Sequence, residues 1–122
     1  MTVYVDNMEA TFGRMKMCHC WADTRLELFT MMKRIDVKLK WFQRPAGACD
    51  FGMPASWEHF DISMTKRKLA IAAGAVEVCM FTMAEHANKQ KFIRAMERQD
   101  FRAAKGCLEM MCIAADSRER RK

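Results

Sequence analysis

Apolar and polar residues alternate with a period of two at the start of the chain, where Val3 and Val5 are interleaved with Thr2, Tyr4 and Asp6. β-Branched and aromatic residues at that spacing predict a first strand over 2–6. Residues 7–14, with Asn7, Glu9 and Gly13, read as a loop. Met15, Met17, His19 and Trp21 then alternate with Lys16, Cys18 and Cys20 in a second strand. In that register Cys18 and Cys20 face one way while Met17 and His19 face the other.

The period changes at Thr24. Thr24 and Glu27 have the spacing of a capping box, and Leu28, Met32 and Ile35 recur at helical intervals, which predicts a helix over 25–35. Residues 37–43 are expected as a third strand. Residues 44–56 hold both prolines and two of the five glycines and form the longest irregular segment. A loop of that length in a small domain is more often a binding or mobile element than a plain connection. A short extended run over 58–62 follows, and Ser63 can cap a helix reaching to about residue 73. Gly74 suits the left-handed position that closes it, and 75–81 is expected as a final strand. Strand, helix, strand thus occurs twice, which favours a small mixed α/β sheet of about four to five strands with two packed helices. Val3, Val5, Leu28, Met32, Ile35, Leu69, Ala73 and Val76 are its expected core.

A second capping box at Thr82 and Glu85 predicts a helix to about residue 98, and Asp100 can cap another. On that last helix Phe101, Ala104, Leu108, Met111 and Ala115 form one apolar stripe. The expected organisation is an α/β module over 1–81, a helical C-terminal extension over 82–116 packed on the same domain, and a disordered basic tail over 117–122.

Composition narrows the class. A chain of 122 residues that is 51% apolar is expected to fold as a unit. It has no uninterrupted apolar run long enough for a membrane span and no signal-peptide profile, so a cytoplasmic protein with no membrane partner is expected. Six cysteines without a secretory context point to thiols and not to a disulfide framework. Cys79, Cys107 and Cys112 sit at core-like positions among apolar neighbours. The net charge of +6 is unevenly placed, since residues 1–85 carry 11 Lys and Arg against 10 Asp and Glu, and residues 86–122 carry 10 against 5. An interaction surface on the last third is the simplest meaning of that surplus.

Three constellations carry chemistry. Cys18, His19, Cys20 and Asp23 lie at a strand-to-helix junction, but neighbours on opposite faces of a strand cannot ligate one ion, and no second cysteine or histidine pair completes a tetrahedral site. His59 and Asp61, two apart on an extended run, point to one side, so the aspartate can orient the imidazole or both can hold a divalent ion. Lys66, Arg67 and Lys68 oppose the dipole at a helix start, a cost that a bound phosphate would reverse. No Walker loop, dinucleotide fingerprint, nucleophile elbow or zincin motif is present.

Val-Tyr-Val-Asp (3–6), Cys-His (18–19), Ala-Asp-Thr (22–24), Glu-Leu (27–28), His-Phe-Asp (59–61), Lys-Arg (66–67) and Ala-Gly-Ala-Val (73–76) together resemble a small uncharacterised family. It is a domain of unknown function found in tailed phages and in actinobacteria, where it can be joined to an HD-type phosphohydrolase domain. The resemblance covers roughly residues 2–80. It implies a phage setting, a compact α/β module, and a polar set of Asp6, His19, Asp23, His59, Asp61 and Arg67. Members of that family have His-Tyr-Asp where this chain has His59, Phe60 and Asp61, and Glu-Leu-His where it has Glu27, Leu28 and Phe29. Any role of the second family histidine is therefore lost here. The resemblance implies no activity.

The reading that follows is a phage accessory protein of the infected cell's cytoplasm that binds a nucleotide or nucleic acid through Asp6, His19, Asp23, His59, Asp61, Lys66 and Arg67, without catalysis. The first alternative is a metal-assisted phosphoesterase or nuclease that uses a divalent metal with His19, Asp23, His59 and Asp61. The second is a protein-interaction module, a homodimer or an inhibitor of a host protein, using the surface around Trp41, Phe42 and the 44–57 loop. A separation of His19 and His59 above about 8 Å would exclude the metal reading.

Overall fold

The computed structural model describes residues 2–7, 10–12 and 15–120, and the chain divides into two units, 1–78 and 79–122. The first is built around one long strand. Strand β1 is Val3–Val5, β2 is Ala10–Phe12 and β3 is Met15–Ala22. The C-terminal half of β3 pairs antiparallel with β1 and its N-terminal half with β2. Helix α1 is Arg25–Arg34. Two short strands, β4 at Gln43–Arg44 and β5 at Met53–Pro54, pair in parallel. Strand β6, Phe60–Ser63, takes the remaining edge of β3, with His19 opposite Asp61 and Cys20 opposite Phe60. Helix α2, Met64–Ala72, crosses back to β7, Val76–Glu77, which lies parallel to β1. The result is a mixed sheet with α1 and α2 packed against it.

The helix starts follow from local hydrogen bonding. Thr24 Oγ1 accepts from the Glu27 amide and its hydroxyl donates to the Glu27 carboxylate, while Ser63 accepts from the Lys66 amide. Gly74 ends α2 at φ +108°, a region open to glycine and costly for other residues. Gly52 is also at positive φ, and a Cβ there would sit 2.2 Å from the Phe42 carbonyl oxygen, so only glycine lets β5 approach.

The core lies on one face of the sheet. Val3, Val5, Cys18, Cys20, Phe60 and Ile62 from the strands meet Leu28, Met31, Met32 and Ile35 from α1 and Ala70 from α2. Two of the expected core residues are instead exposed, Leu69 at 47% and Val76 at 44%. Ala70 and Ala75 take the inward positions, because a small side chain lets the helix backbone approach the sheet. Cys18 and Cys20 are the buried thiols, whereas Cys79 and Cys107 are half-buried and Cys112 is exposed.

Three expected elements differ. Of residues 37–43 only Gln43 lies in a strand: Leu39–Trp41 is a 3-10 turn, with Trp41 N–H bonded to the Lys38 carbonyl and Phe42 N–H to that of Leu39. Local bonds satisfy the backbone there, and Phe42 turns fully into the core. The expected 7–14 loop contains β2, whose short Ala-Thr-Phe run is stabilised by pairing and carries little signal alone; residues 8, 9, 13 and 14 lie outside the described part. The final strand is only two residues long, since a helix begins before Thr82.

The second unit is a helical hairpin of α3, Met80–Glu97, and α4, Phe101–Arg120. Cys79 occupies the N-cap of α3, so Thr82 lies within the first turn and does not cap it. Asp100 caps α4 as expected, accepting from the Ala103 amide. The fully buried residues of the hairpin are Ala87, Ala95, Ala104 and Ala114. Arg118 on α4 pairs with Glu85 on α3. Of the expected stripe Ala104 is buried and Met111 and Ala115 are half-buried, whereas Phe101 is 62% exposed and Leu108 48%, because alanines set the close helix contact. Helix α4 includes residues 117–120, and 121–122 lie outside the described part.

Candidate metal centre

The face of β3 opposite the core carries His19. Its cross-strand partner on β6 is Asp61, and His59, two residues before Asp61, projects to the same side. Register thus brings His19 to a pair of residues that are distant from it in sequence. His19, His59 and Asp61 each offer a ligand atom, all within 4.8 Å of one another. The imidazole centroids are 5.3 Å apart and edge-on. His19 Nε2 is 3.9 Å and His59 Nε2 is 3.5 Å from Asp61 Oδ1. Ligands on one ion stand roughly 3.0–3.4 Å apart given bonds near 2.1 Å, so about 1 Å of inward movement closes the set.

The other ring nitrogens fix which atoms face inward. His19 Nδ1 lies 2.6 Å from the buried Asp6 carboxylate, which also accepts from the His19 amide at 3.0 Å. His59 Nδ1 lies 3.1 Å from the Trp57 carbonyl. A carboxylate and a carbonyl only accept, so in the neutral rings Nδ1 carries hydrogen and Nε2 carries the lone pair. A histidine held in this way by an acceptor is the usual arrangement behind a metal ligand. Gln43 donates to Asp61 Oδ2 at 2.7 Å, and its backbone exchanges two hydrogen bonds with His59. Trp57 stacks on His59 at 4.1 Å and 15° and meets Trp21 edge-on, walling one side of the cluster. Arg25 on α1 clamps Glu58 through two hydrogen bonds, fixing the residue next to His59.

Electrostatics match this geometry. Burial works to lower the His19 pKa, but the Asp6 hydrogen bond and the charges of Asp6 and Asp61 outweigh it and hold it above the ordinary value. For Asp61 burial works upward, yet the His59 ring, which can donate to it from Nε2 once protonated, the hydrogen bond from Gln43 and the positive charge either imidazole carries when protonated hold it below the usual carboxylate range. Asp61 therefore stays ionised. On the core face, burial, reinforced by the charges of Asp6 and Asp61, pushes the Cys18 thiol up to about 12. Burial raises Cys20 as well. Both thiols are buried on the core face, opposite the side of β3 that carries His19, so the Cys-His-Cys run does not converge on one point.

The remaining expected residues divide. Asp23 accepts from the Thr2 amide and the Tyr4 hydroxyl and is not in the cluster. Arg67 donates to the Asp6 carbonyl at 3.0 Å and pairs with Glu77, so it braces β1 and β7. Lys66 lines a groove beside Asp61. Phe42 and Trp57 are buried and contribute no interaction surface, whereas Trp41 is 51% exposed. Gln43 and Trp57 were not singled out from sequence as parts of this site. For Trp57 the only signal was a Trp-x-His-x-Asp run whose register becomes visible once β3 and β6 are paired, and Gln43 enters only through its pairing with His59. Phe29 packs edge-on against Phe42 and Phe60 on the core face, away from the histidines.

Residues 3–90 match a family described as a protein of unknown function (DUF4031), and the chain belongs to that family. The match runs ten residues beyond the expected limit at 80, into α3. Comparison with curated proteins and with solved structures finds no match. Among the described residues no helix is long and apolar enough to cross a membrane.

Proposed function

We propose that the protein is a metal-dependent phosphoesterase in which His19, His59 and Asp61 hold a divalent cation. The observation that carries this reading is the convergence of two Nε2 atoms and a carboxylate within 4.8 Å. Three protein ligands leave positions open for water and substrate, as in catalytic sites, whereas structural zinc sites close with four. A bound cation would polarise a phosphoryl oxygen and bring the pKa of its water toward about 7. Asp6 and Gln43 keep the ligand atoms aimed, and Trp57 keeps one side dry. In the reaction the water oxygen bonds to phosphorus, the bond to the leaving oxygen breaks, and the water proton ends on the leaving alcohol. Binding without catalysis, the simpler expectation from sequence, does not call for two imidazoles whose Nδ1 atoms are both occupied by acceptors.

The test is a titration of metal-free protein with Zn²⁺ and with Mn²⁺, paired with hydrolysis of bis(p-nitrophenyl) phosphate. Equimolar binding, hydrolysis abolished by a chelator, and at least a tenfold weaker metal affinity in His59→Ala, about 1.4 kcal/mol, are expected. Hydrolysis that survives chelation, or metal affinity unchanged by His59→Ala, overturns the assignment.

A further inference from the structure

Beside Asp61 the surface opens into a groove of about 330 Å³ lined by Lys38, Lys40, Lys66, Trp41 and the side chains of Met15 and Met17. Its volume is at the small end of the range for ligand pockets, roughly 300–1,000 Å³. Trp41 is half-exposed, and the Lys40 ammonium sits 5.1 Å from its ring centroid. The lysines outnumber the carboxylates Asp36 and Asp61 that also line the groove. Among the described residues none of the three lysines has a carboxylate partner. Asp61 belongs to both the groove and the metal cluster, so an anion in the groove lies next to the ion.

We infer that this groove binds single-stranded nucleic acid, with a phosphodiester along Lys38, Lys40 and Lys66 and an unpaired base on Trp41. The inference rests on the metal reading above through Asp61. Cations that track a backbone beside an exposed aromatic ring are the working parts of single-strand binding. A duplex keeps the faces of its bases stacked on each other and cannot offer one to an indole. Aliphatic Met15 and Met17 suit the flat faces of a base better than they suit a free phosphate. A divalent ion on Asp61 removes one of the two opposing carboxylates from the charge balance, so the loaded protein attracts the strand more strongly than the metal-free one.

Fluorescence anisotropy of a labelled ten-thymidine oligonucleotide tests this, with and without Mn²⁺. Expected are binding that is at least tenfold tighter with metal, at least a tenfold loss in Trp41→Ala and in Lys66→Ala, and weaker affinity as salt rises. Unlabelled single strand should displace the probe, whereas a duplex of equal length and thymidine monophosphate should be at least tenfold poorer competitors. Both variants change partly exposed groups, and a metal titration equal to wild type shows that they are folded. Oligonucleotide binding that ignores Trp41→Ala, or equal competition by duplex or mononucleotide, overturns the groove assignment while leaving the metal reading intact. Loss of metal binding in the wild type, with Trp41-dependent oligonucleotide binding retained, overturns the metal reading and with it the expected metal enhancement, but not the groove.

Discussion

The two faces of the β3–β6 pair follow different rules. On one, Cys18, Cys20, Phe60 and Ile62 are sealed among apolar neighbours, and what matters is volume. On the other, the buried Asp6 and His59 are held by directed hydrogen bonds, and what matters is which atom points where. Because side chains alternate along a strand, adjacent residues face opposite ways: Phe60 is sealed in the core and its neighbours His59 and Asp61 belong to the candidate metal cluster. Stability and chemistry are therefore separable by mutation at positions that touch in sequence.

The sharpest way to break that separation is Phe60→Ala. Phe60 is fully buried, and its loss should cost about 3–5 kcal/mol in urea unfolding. The protein that remains folded should keep its metal stoichiometry, and loss of both together would show that the two faces are coupled. Asp6→Asn probes the other face. The asparagine amide would turn a donor toward His19 Nδ1, moving the ring hydrogen to Nε2 and blocking the lone pair a metal needs. Metal affinity should fall about 10- to 100-fold by titration calorimetry, an effect typical of groups that orient metal ligands. The smallest effect belongs to the helical hairpin, where alanines are buried and the larger apolar residues are outside. Leu108→Ala should change stability by no more than about 0.5 kcal/mol, since the side chain is 48% exposed. A cost of about 2 kcal/mol or more would mean that the hairpin face is covered in solution.

Much of the α/β unit was legible because its signals are local. Thr24 and Ser63 mark helix starts, Gly74 a helix end, and the alternation through Cys18 and His19 assigns each to its face. Both histidines and Asp61 were singled out from type and spacing, but their convergence depends on pairing β3 with β6, which no local pattern encodes. The failures have a common cause. Leu69, Val76 and Leu108 were placed inside because they are apolar and fit the spacing, yet Ala70, Ala75 and Ala114 lie there, where close backbone approach is favoured over side-chain area. Trp41 and Phe42 show the same limit: neighbouring aromatics in one alternating run, with one half-exposed and the other fully enclosed.

Asp6 reaches His19 across 13 residues, and Arg67 reaches the Asp6 carbonyl across 61. Nothing resembling this arrangement exists in an unfolded chain, where the two histidines are separate weak ligands. An ion would therefore distinguish the native state from every other, and its binding would be part of the folding equilibrium. By mass action, free metal at a hundred times its dissociation constant adds about 2.7 kcal/mol to the resistance to unfolding. Thermal melting followed across a metal titration should rise with the logarithm of concentration, and a flat response would show that the unfolded chain holds the ion equally well. The metal supply of the cell would then set how long each molecule lasts as well as how many are active.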